Sequence, residues 1–302
     1  MPIQNPAVSI AAVPGRRKMI IDLAVEIEKQ KFAGIYCPSM GDNIGLCTAI
    51  GLNTKSIPFG TTITPIYTRN PVDFAQSAAF IHEISNGRFH FGIGVSHAPA
   101  MDRLGVAQGK PISDIRNFVK AIRSAPRVGE LPPIILAALR KRMIILAEEI
   151  AEGIVFANGA KSHMAFSLNN LKENTLTDTQ FFIGNMIPTC ISEDVETAKN
   201  VNRKTLSTYA MLPNYRNYWK EAGYIDEMNA IEEAINAGKA DQITNLLSDK
   251  WLADTTLFGP PNKIREGIES WFDAGIHNPI IVPSSAAGNQ LKAFEELIKI
   301  WK

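Results

Sequence analysis

Three short stretches of this 302-residue chain carry residue types that chemistry needs. The first is Gly92-Ile93-Gly94-Val95-Ser96-His97. A glycine pair at this spacing invites a dinucleotide-binding reading. That fingerprint needs a third glycine opening a helix, and His97 stands in its place. Two readings are left. The glycines let a strand end pack tightly, or Gly94, Ser96 and His97 let an anionic cofactor approach the end of a barrel strand. The second stretch is Leu139-Arg140-Lys141-Arg142. Three cations at the start of a helix oppose its dipole. A phosphate there would be held by the free backbone amides and the guanidinium groups together. The cluster is read as a phosphate site rather than a solvated basic turn. The third is Ser39-Met40-Gly41-Asp42, following an apolar run that ends at Pro38. Ser39, Asp42 and His97 are the candidate proton donors.

Other chemistries find no support. The histidines are His82, His90, His97, His163 and His277, and none has HExxH or similar ligand spacing, so no metal is expected. His82 reads as helical and His90 as strand, both structural. His97 and His163 read as loop residues after strands. Cys37, Cys47 and Cys190 are an odd, sparse set, which argues against a disulfide framework. No GxSxG, P-loop or CxxC motif occurs. With 31 basic and 30 acidic residues the net charge is +1, which gives no bulk attraction to nucleic acid. No apolar run approaches the roughly 18 residues of a membrane span, and no signal peptide is read at the N-terminus. A soluble, cytoplasmic protein is expected.

Elements must hold those stretches in place. Apolar residues make up 45% of the chain, enough for a sizeable core. Residues 8–13 (VSIAAV) and 34–38 (GIYCP) read as strands, with a helix over 16–32 between them. In that helix Ile20, Leu23, Ala24 and Ile27 fall at i, i+3, i+4 and i+7. A short helix over 43–52 precedes a strand over 56–66 (SIPFGTTITPI). That strand ends in Thr61-Thr62-Ile63-Thr64-Pro65, which holds no acid, base or nucleophile. Asn70-Pro71 caps the next helix, and Asn86-Gly87 stops it. Further strands are read at 88–95, 133–139, 153–157, 181–189 and 279–283. Helices are read at 141–152, at 194–248 with breaks near Pro213 and Gly223, at 261–274 and at 290–301. Eight continuous apolar strands separated by helices predict a parallel sheet curled into a single (β/α)8 barrel, an α/β fold.

At this point the residues resemble a known family. The stretch 59–99, FGTTITPIYTRNPVDFAQSAAFIHEISNGRFHFGIGVSHAP, is similar to the luciferase-like monooxygenases. Their pattern is a strand ending in T-P-I-Y-x-R-x-P, a helix ending in S-x-G-R-F, and a strand G-x-G-V-S-H. Residues 133–156 (PIILAALRKRMIILAEEIAEGIVF) and 257–283 (LFGPPNKIREGIESWFDAGIHNPIIVP) match as well. With residues 16–36, the resemblance covers most of the chain. It implies one TIM-type barrel over residues 1–302, a homodimer, and a cofactor ring at the C-terminal ends of the strands. The G-V-S-H variant is most similar to the branch that uses the deazaflavin coenzyme F-420, with FMN as the alternative. By this resemblance Thr64 and Pro65 lie against the ring at a strained bulge. Ser96 and His97 lie near its side chain or phosphate. Ala137, Ala138, Leu139, Arg140, Lys141 and Arg142 shape the phosphate site. Two departures stand out: the family's L-G-P or G-G after the fifth strand is replaced by Leu139-Arg140-Lys141, and the segment 124–131 is short.

The expected activity is hydride transfer between F-420 and a small organic substrate. The alternative is an FMN-dependent monooxygenase supplied by a separate flavin reductase. A third reading, from another class, is a non-catalytic flavin- or deazaflavin-binding protein.

Overall fold

The computed structural model of the chain describes residues 5–301. Strands and helices alternate in the order of a (β/α)8 barrel. By internal contacts the described chain divides into two compact units.

The first unit comprises residues 5–156 and 169–184. It holds β1 (Ala7–Ser9), α1 (Arg17–Lys29), β2 (Ile35–Cys37), α2 (Asn43–Asn53), β3 (Phe59–Thr61), β4 (Thr64–Pro65) and α3 (Pro71–Ile84). It continues through β5 (Phe89–Gly94), α4 (Ala98–Arg103), α5 (Pro111–Arg123), β6 (Ile134–Ala137), α6 (Lys141–Ile150) and β7 (Gly153–Ala157). A short helix, α8 (Glu173–Thr177), belongs here too, after α7 (Met164–Leu168) of the second unit. Every strand pair is parallel, with Ile35 opposite Phe59, Gly60 opposite His90, Ile93 opposite Leu136, and Leu136 opposite Ile154. β3 and β4 are two pieces of one barrel strand. The sequence reads 56–66 as unbroken, but the ladder stops at Thr61 and resumes at Thr64.

Local chemistry sets the helix starts. Asn70 accepts a hydrogen bond from the Val72 amide and Pro71 takes the first helical position of α3. Helix α5 buries Ile115, Phe118, Val119 and Ile122, an i, i+3, i+4, i+7 stripe. Phe74 of α3 packs between Phe91 of β5 and Phe118 of α5, with ring centroids 5.8 and 5.7 Å away. Arg88 joins several segments at the opposite strand ends. Its guanidinium donates to Ser85 O, Thr54 Oγ1, Ile57 O, Gly51 O and Thr54 O, and it lies over the Phe59 ring.

The second unit comprises residues 157–168 and 185–301. It carries most of β8 (Phe182–Ile191), then α9 (Val195–Ala210), α10 (Pro213–Glu221), α11 (Ile225–Asn236), α12 (Ile243–Leu246) and α13 (Asp249–Thr255). β9 (Leu257–Gly259), α14 (Pro261–Asp273), β10 (Asn278–Ser284) and α15 (Gln290–Trp301) complete it. β9 runs parallel to β8, with Thr189 opposite Leu257. Its core is aromatic: Trp219 and Trp251 are fully buried and meet edge to face at 4.7 Å. The turn after β7 is held by side chains. Trp219 Nε1 donates to Asn158 O, Gly159 N to Asn185 Oδ1, and Ala160 N to the Tyr218 hydroxyl.

The eight stretches read as barrel strands fall on β1, β2, β3 with β4, β5, β6, β7, β8 and β10. Helices α4 and α5 and strand β9 were not read from the sequence. The cysteines are buried thiols. No helix among the described residues is long and apolar enough to cross a membrane.

Candidate active site

The C-terminal ends of β2, β3 with β4, β5 and β6 bring most of the singled-out residues into one unit. Their arrangement starts from the interruption between β3 and β4. The peptide joining Thr62 to Ile63 is cis. Thr62 N donates to Cys37 O at 2.8 Å, and Ile66 N to Gly94 O at 3.0 Å. Between residues 61 and 66 only Ile63 is not buried.

The two glycines now have separate explanations. A Cβ on Gly92 would lie 1.8 Å from the Thr61 carbonyl oxygen, so only glycine lets β3 and β5 approach. A Cβ on Gly94 would lie 3.0 Å from both Ala137 Cβ and Ile63 Cγ1. Pro65 pairs with Gly94 on the neighbouring strand. Pro65, Gly94, Ala137 and Ile63 therefore form one close-packed apolar floor. Thr64 sits differently from its neighbours. Its hydroxyl donates to Asn43 Oδ1 at 3.2 Å.

Beyond the floor, β5 runs into Val95, Ser96 and His97, all half-buried. Ser96 has φ +60°, a left-handed conformation that turns the chain toward α4. His97 is the N-cap of α4 in extended geometry. Burial pushes its imidazole below the ordinary histidine range, so it is neutral near pH 7. The following segment is hooked back, because Gln108 Nε2 donates to Val95 O at 3.0 Å. The Tyr67 hydroxyl donates to Asp114 Oδ2 at 2.8 Å. Burial and that carboxylate push the Tyr67 phenol up to about 12.

Beside the floor, β6 ends at Ala137, and Ala138 N donates to Val155 O at 3.1 Å. Leu139 is half-buried, and Arg140, Lys141 and Arg142 are exposed. Arg140 is the extended N-cap of the ten-residue α6, with no side-chain cap. The cation triplet thus sits at a helix start, as the sequence indicates, with no acidic residue in the first turn.

Ser39 and Asp42 follow β2 and are exposed. Asp42 has structural work: its carboxylate accepts from Gly45 N at 3.0 Å as the N-cap of α2, and Arg69 lies 3.6 Å away. His163 lies in the second unit, in a 3-10 turn over Lys161–His163, with its ring 4.8 Å from Phe166. His90 is half-buried, with its ring stacked on that of Tyr36. Among the described residues no group of three His, Cys, Asp or Glu could hold a metal.

Asn43, Thr62 and Ile63 were not singled out from the sequence. Asn43 reads as an ordinary early helix residue, and its partners lie up to 21 residues away. Nothing in local spacing announces such a bond.

Known proteins share this fold. The chain is 23% identical over 286 residues to a 5,10-methylenetetrahydromethanopterin reductase of Archaeoglobus fulgidus, covering 84% of each chain. Its structure is similar to that of the coenzyme F-420 dependent tetrahydromethanopterin reductase of Methanopyrus kandleri, with TM-score 0.78, 18% identity and 98% of both chains covered. It is also similar to an F-420-dependent secondary alcohol dehydrogenase in complex with an F-420-acetone adduct, with TM-score 0.73, 15% identity and 98% of both chains covered. These likenesses show the (β/α)8 barrel fold. The family model for luciferase-like monooxygenases matches residues 3–278, and the chain belongs to that family of oxidoreductases.

Proposed function

We propose that this protein binds coenzyme F-420 and moves a hydride between it and a small organic substrate, working as a homodimer. The residues present fit a flat heterocycle with an anionic tail. The floor of Ile63, Pro65, Gly94 and Ala137 offers an apolar surface whose Ile63 and Ala137 are not fully buried. Thr62 Oγ1 is buried with no hydrogen-bond partner among the described residues, a polar group that a ring heteroatom would satisfy. Lys141, Arg142 and the amides at the start of α6 would hold the anionic tail.

The observation that carries the reading is this continuity along β6: the apolar floor at Ala137 gives way within three residues to Arg140 and its neighbouring cations. When bound, the deazaflavin would supply the hydride chemistry, while the protein supplies position and electrostatics. His97, neutral and beside the strand end, is the residue placed to hold or move a proton. Structural neighbours named for F-420 support this cofactor, and a monooxygenase solved with FMN supports the flavin alternative.

Titration with F-420 and FMN in parallel, followed by fluorescence, tests the assignment. Selective binding of F-420, with turnover on enones, imines or alcohols, is the expected result. Selective binding of FMN would replace it with a monooxygenase fed by a separate flavin reductase. Tight F-420 binding without turnover on a broad panel would make the chain a non-catalytic cofactor binder. Binding of neither would overturn all three.

A further inference from the structure

Asn43 is the first residue of α2 and only 5% exposed. Its amide engages three separate backbone or side-chain groups. Nδ2 donates to Ile63 O at 3.1 Å and to Cys37 O at 3.4 Å, and Oδ1 accepts from the Thr64 hydroxyl at 3.2 Å. Two of these partners, Ile63 and Thr64, flank the point where the β3 ladder breaks and β4 begins. The third, Cys37 O, also accepts from Thr62 N. One side chain thus fixes the path of residues 62–64 against the end of β2.

What that path carries is the Ile63 side chain. Its Cγ1 and Cδ1 press toward Gly94, 3.0 and 3.1 Å from where a Cβ would stand. We infer that Asn43 is a positioning residue for the cofactor seat. It holds the Ile63 carbonyl and the Thr64 hydroxyl so that Ile63 keeps its place on the floor beside Gly94 and Ala137. This rests on the reading of that floor as the seat of the heterocycle. A chemical consequence follows for Thr64. Its hydroxyl proton is engaged by Asn43, so Thr64 acts as a clip and not as a donor to the ligand.

The inference requires Asn43 and Thr64 to act as one unit, and a double-mutant cycle reads that coupling. Asn43→Leu removes both the acceptor for Thr64 and the donors to the backbone. Thr64→Val removes the clip with little change in volume and stands in if the first variant folds poorly. Glu28→Gln is the control for general destabilisation. That carboxylate accepts from the amides of Lys55, Ser56 and Ile57, away from the floor. The readouts are the F-420 dissociation constant, the absorption maximum of bound F-420, and the melting temperature.

Asn43→Leu is expected to weaken F-420 binding about tenfold and to move the bound absorption maximum. Thr64→Val is expected to weaken it by about threefold, with the double variant no worse than Asn43→Leu alone. Glu28→Gln lowers the melting temperature and leaves affinity and spectrum unchanged. Wild-type binding with both site variants indistinguishable from it, or with strictly additive effects, overturns the inference while leaving the functional reading intact. Failure of the wild type to bind F-420 overturns both.

Discussion

His90 occupies an inward position on β5, where the Tyr36 hydroxyl lies 3.1 Å from its Nδ1. Phe182 packs 5.3 Å from the Tyr36 ring and 5.7 Å from the His90 ring. Burial raises the Tyr36 phenol, so it keeps its proton. Burial, and to a smaller degree the charge of His82, lowers His90 from 6.5 to about 4. The fold therefore holds a neutral imidazole, while the unfolded chain takes up a proton below its ordinary value. The contribution to stability is whole above about pH 6.5, declines as pH falls, and levels off below about pH 4. Its full size is on the order of 3 kcal/mol. Urea unfolding of wild type and His90→Gln between pH 5 and 8 checks this. The wild type is expected to lose more stability toward pH 5 than the variant, and parallel curves would refute the assignment. The identity of His90 as structural is legible in the sequence from its place within an apolar strand. Its partner Tyr36, 54 residues away, is not.

At the scale of elements, α6 shows a local choice made against the helix itself. Exposed Lys141 and Arg142 stand in its first turn, with Arg140 as N-cap, and that turn holds no acidic residue. Cations near a helix N-terminus cost about 0.3–1 kcal/mol each. Replacing Lys141 and Arg142 with Gln is therefore expected to raise the melting temperature slightly and to weaken F-420 binding by about ten- to a hundredfold. The loss should shrink as salt is raised, because screened charges contribute less. A calorimetric scan paired with titrations at two ionic strengths distinguishes this from a merely solvated turn, which would gain stability without losing affinity. The β3–β4 strand shows the limit of reading elements from sequence. Residues 56–66 are rich in β-branched side chains and read as one strand. The break at Thr62–Ile63 comes from contacts with β2 and α2 that no local pattern records. Helix α5 was missed for another reason. Its apolar stripe is regular, but it follows the irregular stretch from Gly105 to Lys110, and Lys110 supplies no side-chain cap to mark its start.

At the scale of the molecule, two neighbouring helices leave large apolar side chains exposed. Leu52 of α2 is 66% exposed, and Val72 and Phe80 of α3 are 38% and 55% exposed. Helices α2 and α3 pack side by side. Exposed apolar side chains of this size suit an interface, and a second copy of the chain is the occupant proposed here. Light scattering after gel filtration should give twice the chain mass. Phe80→Lys should halve it while leaving the circular dichroism unchanged. A wild-type monomer would remove the homodimer from the proposal.

The sequence alone determined the alternation of eight apolar strands with helices, because strand and helix periodicities are local and the strands are buried on both faces. It also located the strand ends and the cation cluster, since these are contiguous residues whose chemistry reads directly. Tertiary structure decided which of those residues face the floor. Gly92 is glycine for the sake of a carbonyl 31 positions earlier in the chain, Asp42 caps a helix, and the Thr64 hydroxyl faces Asn43. Asn43 and Ile63 entered the site only with the fold. Their roles depend on hydrogen bonds and packing between β2, α2 and the break in β3, and those distances exist only once the chain has closed on itself.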